Sequence, residues 1–548
     1  MNRLLTIFCN LFWFANALPG YVRFCIACRY VKRYQTRYLL RLMRGNRTTE
    51  YGKNHGFEKI NDWNDFVQLP LSEYKDFSRS VEQIRSGNKN VLTEDSVEIL
   101  QPTSGTSSVP KLIPYTKTLG KEFKSALDAW IADLFMQRPK LFLGPQYWSI
   151  SPSTEIKTEQ DGKVPVGFLD DAEYFGTRKR RIMDRIMAVP SDVRLISDME
   201  ANQYVTVLFL LRLKNLRLIS VWHPSFLTIL LNTVRTAWPC LLNDLRNGGL
   251  DSSINISGEI RLRLVKKLKP VPQRTRELES LNPVSNDLFR EIWPVLQVIS
   301  CWRNGNVRSE ISELEKVFPD VLIQGKGLLA TEGIISIPLG NAQKQVCAVT
   351  SHTLEFLDDE GMVFPVWNLK LGKSYCVILT TSGGLYRYQL KDRIEVTDFY
   401  GKAPCIRFLG RTGVVSDCVG EKLHIEHLED IISDIIREHY HGKPQFAMLV
   451  PSAGSKGPRY NLLIEKSGLQ DPSPDEVATS LESKLCSNYH YAHARQIGQL
   501  KKVTVTPLEP NAKNRYRSFM TKKGAVAGTI KFPALCTAIG IEEYLMGV

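Results

Sequence analysis

Gln101-Pro-Thr-Ser-Gly-Thr-Ser-Ser-Val-Pro-Lys111 joins a short, mostly apolar run, Val97 to Leu100, to a long helical pattern. Gly105 lets the backbone turn through conformations closed to other residues, so several N–H groups can converge on one anion. Ser104, Thr106 and Ser107 add hydroxyl donors, and Lys111 supplies a positive charge. The stretch reads as a phosphate-cradling loop. It differs from the Walker loop in lacking a Gly-Lys-Ser/Thr ending and in carrying more hydroxyls than glycines. Taken alone it reads equally as a solvated loop, because Ser, Thr, Gly and Pro gather in turns for conformational reasons.

After this loop, Leu119, Phe123, Ala126, Trp130 and Leu134 recur at helical spacing. This helix is expected to bury one face against a sheet and to add its N-terminal amides and dipole to the anion site of the loop. The chain has 548 residues, which is long for one core and predicts two domains. Its net charge of +14 admits nucleic acid, anionic membrane or small anions as partners. The basic clusters Arg178 to Arg181 and Arg261 to Lys269 lack interleaved aromatics for base stacking, so nucleic acid is not expected. Eleven scattered cysteines, an odd number, fit a reducing cytoplasm. Cys25-Ile-Ala-Cys28 has no second pair at zinc spacing, and His424-Ile-Glu-His427 is equally weak as a metal site. Leu4 to Leu18, apolar and short for a membrane span, continues into a helical pattern through Leu42. It is read as a helix packed on the main domain, with cleavage or peripheral membrane contact as alternatives.

Two further motifs give the loop its context. Thr103-Ser-Gly-Thr-Ser107 with Lys111, then Leu329-Ala-Thr-Glu-Gly333, then Leu385-Tyr-Arg-Tyr-Gln-Leu-Lys-Asp392 resemble, in order, three motifs of the adenylate-forming superfamily. From Thr48-Thr-Glu-Tyr-Gly-Lys-Asn-His-Gly56 to Ala492-His-Ala-Arg-Gln-Ile-Gly498 the chain resembles the bacterial branch of the Gretchen Hagen family of acyl-acid amido synthetases.

The resemblance implies an α/β, two-domain fold: a large N-terminal domain of mixed sheets and helices, residues 1–410, and a small mobile α/β domain, residues 411–548, hinged near 411–417. It implies ATP as cosubstrate, a carboxylic acid and an amine, an amino acid in particular, as the other partners, and Mg²⁺ held by Glu332. Thr331 then lies near the α-phosphate, Asp392 accepts from the ribose hydroxyls, Arg411 contacts ribose or phosphate, and Lys531 swings in to neutralise the transferring phosphate, a surface lysine being its alternative. Lys391 stands where relatives usually have Gly. Thr521 to Gly524 and Gly528 to Lys531 read as a flexible basic segment. His223 and Ser225 follow the expected strand Leu218 to Trp222, and ligands collect beyond such strand ends. They are candidate substrate contacts, or a structural histidine beside a proline turn. Trp222, Phe226 and Trp130 are candidate walls of an apolar acid pocket, or core. An acyl-CoA ligase and a non-catalytic nucleotide-binding or membrane-peripheral protein remain the alternative functions.

Overall fold

The computed structural model describes residues 3–103, 111–149, 164–167, 185–303, 308–340, 344–411, 415–416, 418, 423–440, 444–452, 457–467, 471–496, 500–523, 525 and 530–547. Ser104, Gly105, Thr106 and Ser107 of the loop and the Ser153 to Lys163 segment lie outside them, as does the side chain of Arg411. The architecture is mixed α/β with a large N-terminal and a smaller C-terminal part. Met1–Thr103, Lys111–Leu390 and Glu395–Arg407 belong to one compact unit, and Lys391–Ile394 with Phe408–Val548 to the other.

In the larger unit, four parallel strands run in the order Gln146–Trp148, Leu218–Ser220, Val298–Cys301, Leu322–Gly325. Parallel strands need crossovers, and helices such as Met199–Leu211 and Pro224–Thr236 supply them. The strands are covered, so they read as runs of apolar residues: Ile219, Val221, Ile299 and Ile323 share a core with Val205, Leu208, Leu227 and Leu231 of those helices. A seven-stranded sheet follows in the order Val363–Pro365, Thr353–Leu357, Ser374–Thr380, Tyr388–Tyr400, Ala403–Arg411, Lys344–Cys347, Ser336–Leu339.

Val97–Pro102 pairs antiparallel with a strand Leu112–Thr116 that the sequence reading did not anticipate. Helix Lys117–Gln137 follows this strand, where the spacing from Leu119 places it, capped by Thr116, whose hydroxyl accepts from Leu119 N–H at 3.1 Å. Five extended residues span about 17 Å. The anion loop that this helix's N-terminus is expected to supplement lies outside the described residues.

The smaller unit is a three-stranded sheet, Ala447–Ser452, Arg459–Glu465 and Thr504–Leu508, the first pair antiparallel and the second parallel. Side chains alternate across it with period two. Leu449, Leu462 and Ile464 pack under helices Ile425–His439 and Pro474–Leu485, while Met448, Val450 and Leu463 pack under Ala512–Lys522 and Ile541–Met546. Thr521 and Lys522 close a helix, so this half of the expected flexible segment is regular structure. Lys531 is exposed but sits between Ile530 and Phe532, which pack on that core. The chain beyond it is tied to the sheet by bonds from Leu449 N–H to Ala534 O, 2.8 Å, and from Cys536 N–H to Leu449 O, 3.0 Å.

Lys391 has φ +66°, the left-handed region a side chain enters at a cost. The backbone thus keeps the turn that glycine usually makes here. Lys391→Gly is expected to raise the unfolding free energy by about 0.5–1 kcal/mol, and Lys391→Val to lower it by about 1–2 kcal/mol, since β-branching resists positive φ. Denaturant melts of the two variants check both signs.

Candidate active site

Leu329 and Ile334 bridge to form a tight hairpin, closed by bonds between Ala330 and Gly333 in both directions at 3.0 and 3.2 Å. Its tip presents Thr331, half-buried, and Glu332, whose carboxylate-bearing side chain is buried. Burying a carboxylate is costly unless it meets donors or a cation. Glu332 has the chemistry of a hard-cation ligand at a position water does not reach freely. One carboxylate plus phosphate oxygens is an ordinary Mg²⁺ donor set, so the residues present fit that ion. Among the described residues no cluster of three or more His, Cys, Asp or Glu forms an all-protein metal site.

Beneath this hairpin lies a buried polar network that the sequence reading missed. Glu122 Oε2 is 2.8 Å from His352 Nδ1, and Tyr38 donates to Glu122 Oε1 at 2.6 Å. Burial first, and the Glu122 carboxylate second, push the Tyr38 phenol well above its usual range, which keeps it a neutral donor. Ser382 N–H also points at Glu122 Oε2, at 3.4 Å, and Gln35 bonds the backbone of Val349, His352 and Leu354. The network touches both neighbouring motifs: Gly333 faces the other edge of His352, and Ser382 opens the turn before Leu385. A Cβ on Gly333 would lie 2.9 Å from His352 Cδ2 and 3.0 Å from Nε2. The one sequence signal was available, a carboxylate at position 122 on the face of an amphipathic helix defined by Leu119, Phe123 and Ala126.

Gly333→Ala is therefore expected to cost about 1–3 kcal/mol by overpacking against a ring pinned to Glu122. It should also slow turnover by displacing Glu332. Adding His352→Asn, which shortens the obstructing side chain, should recover part of the stability lost; urea melts of the single and double variants measure this coupling.

Motifs one and three meet at Lys111. Its Nζ lies 3.5 Å from Tyr388 OH and 5.7 Å from the centre of the Tyr74 ring. Tyr74 OH in turn accepts from Leu112 N–H at 2.8 Å, holding the end of the loop, and Thr103 N–H bonds Lys111 O at 2.8 Å. In strand Tyr388–Tyr400 the buried face carries Tyr388, Leu390, Asp392, Ile394 and Val396, so Asp392 projects from the same side as Tyr388. Arg411 ends strand Ala403–Arg411.

At the carboxyl edge of the parallel sheet, His223 caps helix Pro224–Thr236: its Nδ1 accepts from Ser225 N–H at 3.2 Å and lies 2.7 Å from Ser225 Oγ. That accounts for the geometry of the pair as a structural cap. Trp130 is core, its indole N–H donating to Gln324 Oε1 at 3.0 Å and its ring edge-on to Trp148. Trp222 is half-exposed and covers the Nζ of buried Lys326, 4.4 Å from the ring centre. Lys326, absent from the sequence reading, places a cation beyond the strand ends, where ligands of such sheets bind.

The chain matches three family models in order: the GH3 family N-terminal domain over residues 22–323, the central domain over 337–411 and the C-terminal domain over 427–538. Indole-3-acetic acid-amido synthetase GH3.15 of Arabidopsis thaliana is 22% identical over 547 residues, covering 92% of this chain and 91% of its own. Indole-3-acetic acid-amido synthetase GH3.2 of the same plant is 24% identical over 436 residues, 74% and 78% of the two chains. Jasmonoyl--L-amino acid synthetase JAR6 of Nicotiana attenuata is 23% identical over 402 residues, 69% and 68%. The structure of the AtGH3.15 acyl acid amido synthetase in complex with 2,4-DB superposes with a TM-score of 0.85 at 20% identity, covering 97% of this chain and 96% of that one. These relatives are plant enzymes. Matched along nearly its whole length by the three domain models, the chain belongs to the GH3 family.

Proposed function

We propose that the protein is an ATP-dependent acyl-acid amido synthetase. The observation that carries this reading is the pair of contacts linking residues of these motifs and their flanks: Lys111 against Tyr388, and the Glu122–His352 pair between the Glu332 hairpin and the Ser382 turn. In the first half-reaction a carboxylate oxygen of the acid attacks the α-phosphorus of ATP, and pyrophosphate leaves. Thr331 and the hydroxyl-bearing loop orient the phosphates, Lys111 offsets charge on the departing pyrophosphate, and Asp392 accepts from the ribose hydroxyls. Glu332 would hold Mg²⁺, which when bound would supply charge neutralisation to the phosphates. In the second half-reaction an amine nitrogen attacks the acyl carbonyl, AMP leaves and the nitrogen loses a proton. An amino acid is the proposed acceptor, as in the amido synthetases named above.

Lys326 and Trp222 offer a cation and an apolar plane to the acid, with His223 and Ser225 beside them. The smaller domain, hinged at 411–417, alternates between half-reactions, with Lys531 and Arg411 serving the adenylation step. The eleven free thiols support a cytoplasmic setting, and the Thr48 to Gly56 and Ala492 to Gly498 segments support the family's bacterial branch.

The test is acid-dependent exchange of labelled pyrophosphate into ATP across aryl, indolyl and fatty acids, followed by mass spectrometry with pooled amino acids or coenzyme A. Exchange and an amide product are expected. A thioester product would make the protein an acyl-CoA ligase, and ATP binding without exchange for any acid would remove the enzymatic reading.

A further inference from the structure

The N-terminal helix Arg3–Arg29 has two faces of different character. Inward, Trp13 packs edge-on against Phe135 and Trp148 at 5.9 Å each, and buried Asn10 donates to Phe142 O at 3.1 Å and Gly144 O at 2.9 Å. Outward, Leu4, Phe8, Leu11, Phe12, Val22 and Ile26 are exposed, Leu4 by 79% and Phe8 by 65%. At 100° per residue these six fall within one stripe about 100° wide, extending about 33 Å along the helix. Arg29, its last residue, and Tyr30, just past its end, line a groove of about 1370 Å³ that continues along helix Val31–Gly45 to Lys402. Arg33, Arg37, Arg41 and Arg44 recur at intervals of four, four and three, so they share one exposed helix face bordering that groove. Among its described lining residues there is no carboxylate.

An apolar stripe running into a band of cations is the composition of a helix that lies in the headgroup layer of an anionic bilayer. We propose that this surface docks the protein on anionic lipid membranes, with the stripe entering the acyl boundary and the arginines meeting lipid phosphates. The helix is long and apolar enough to cross a membrane by length and composition. Its docked polar face argues for lying on the bilayer: Asn10 and Thr6 are buried against the domain, whereas spanning would strip Asn10 of its carbonyl partners. A second copy of the chain would cover the stripe but brings the arginines no carboxylate, because a two-fold interface presents the same surface from both copies and the described groove lining holds none. Anionic lipid satisfies both halves of the surface.

The test uses the full chain with phosphatidylcholine vesicles, with and without phosphatidylglycerol, in flotation assays, alongside light scattering for oligomeric state. Binding to anionic vesicles that weakens with salt is expected. Arg33→Ala/Arg37→Ala/Arg41→Ala should weaken partitioning on the order of a hundredfold, at about fivefold per basic group near an anionic surface. Phe8→Glu/Leu11→Glu, on exposed positions that leave the fold intact, should abolish it without changing the thermal melt. Equal flotation with neutral vesicles, no flotation with either, dimerisation through the stripe, or binding to single-stranded oligonucleotides in place of vesicles would each overturn the proposal.

Discussion

Glu332→Gln is expected to lower acid-dependent pyrophosphate exchange by about a hundredfold to a thousandfold, the usual loss when one preorganised electrostatic group is removed from a reacting centre. The substitution keeps the side chain's volume in a position only 4% exposed, so packing is preserved and the thermal melt should stay near that of the parent. What changes is charge. A neutral amide cannot hold a hard cation against phosphate oxygens, so the magnesium concentration for half-maximal exchange should rise, while affinity for the acid stays close to unchanged. Glu332→Ala is a poorer probe, because it combines charge loss with a buried void. Exchange within tenfold of the parent for Glu332→Gln, with no rise in the magnesium concentration for half-maximal exchange, would refute the metal role of this hairpin.

The motif that forms this hairpin was legible in the sequence because motif order survives where overall identity does not, and Thr331-Glu332-Gly333 needs only its own neighbours to form the hairpin. The α/β class and the helices with clean periodicity were legible for the same local reason: Val477, Leu481 and Leu485 share a buried face as their spacing requires. Strand Leu112–Thr116 was not, since five residues with Pro114 at the centre carry no alternation and pair only within a two-stranded ribbon. Nor was the support of the site. Glu122 meets His352 across 230 residues, and Lys326 is covered by Trp222 from a different crossover, so neither residue type nor spacing announces the contact. Chemistry written in contiguous motifs is readable from one chain, whereas the charges that hold motifs in place are set by topology.

Arg387, inside the third motif, makes this point quantitatively. Its side chain is buried beside Glu355, with Nη2 to Oε1 at 3.0 Å and Nε to Oε2 at 3.2 Å. Its Nη1 donates to Val67 O at 2.6 Å and also to Leu69 O, and the guanidinium lies 5.7 Å from the Phe66 ring centre. Nη1 thus ties the start of the strand carrying Tyr388 and Asp392 to the 67–69 carbonyls, while Nε and Nη2 tie it to Glu355 of strand Thr353–Leu357. Arg387→Met is expected to cost about 3–5 kcal/mol, because it strands a buried carboxylate. Burial already pushes the Glu355 carboxyl up, and Arg387 pulls it back. Without the arginine the upward push is unopposed, so the folded variant holds a proton that the unfolded chain has released above pH of about 4.3. Stability then falls as pH rises through the window from that value to the raised folded one, and the deficit against the parent shrinks towards acid. Replacing both partners, Arg387→Met/Glu355→Met, removes the stranded charge and should recover much of the loss, leaving the cost of the two freed carbonyls. Urea melts of the parent and the two variants at neutral pH and near pH 5 decide the matter: a single variant within about 1 kcal/mol of the parent, or one whose deficit ignores pH, would mean that the pair does not anchor the motif.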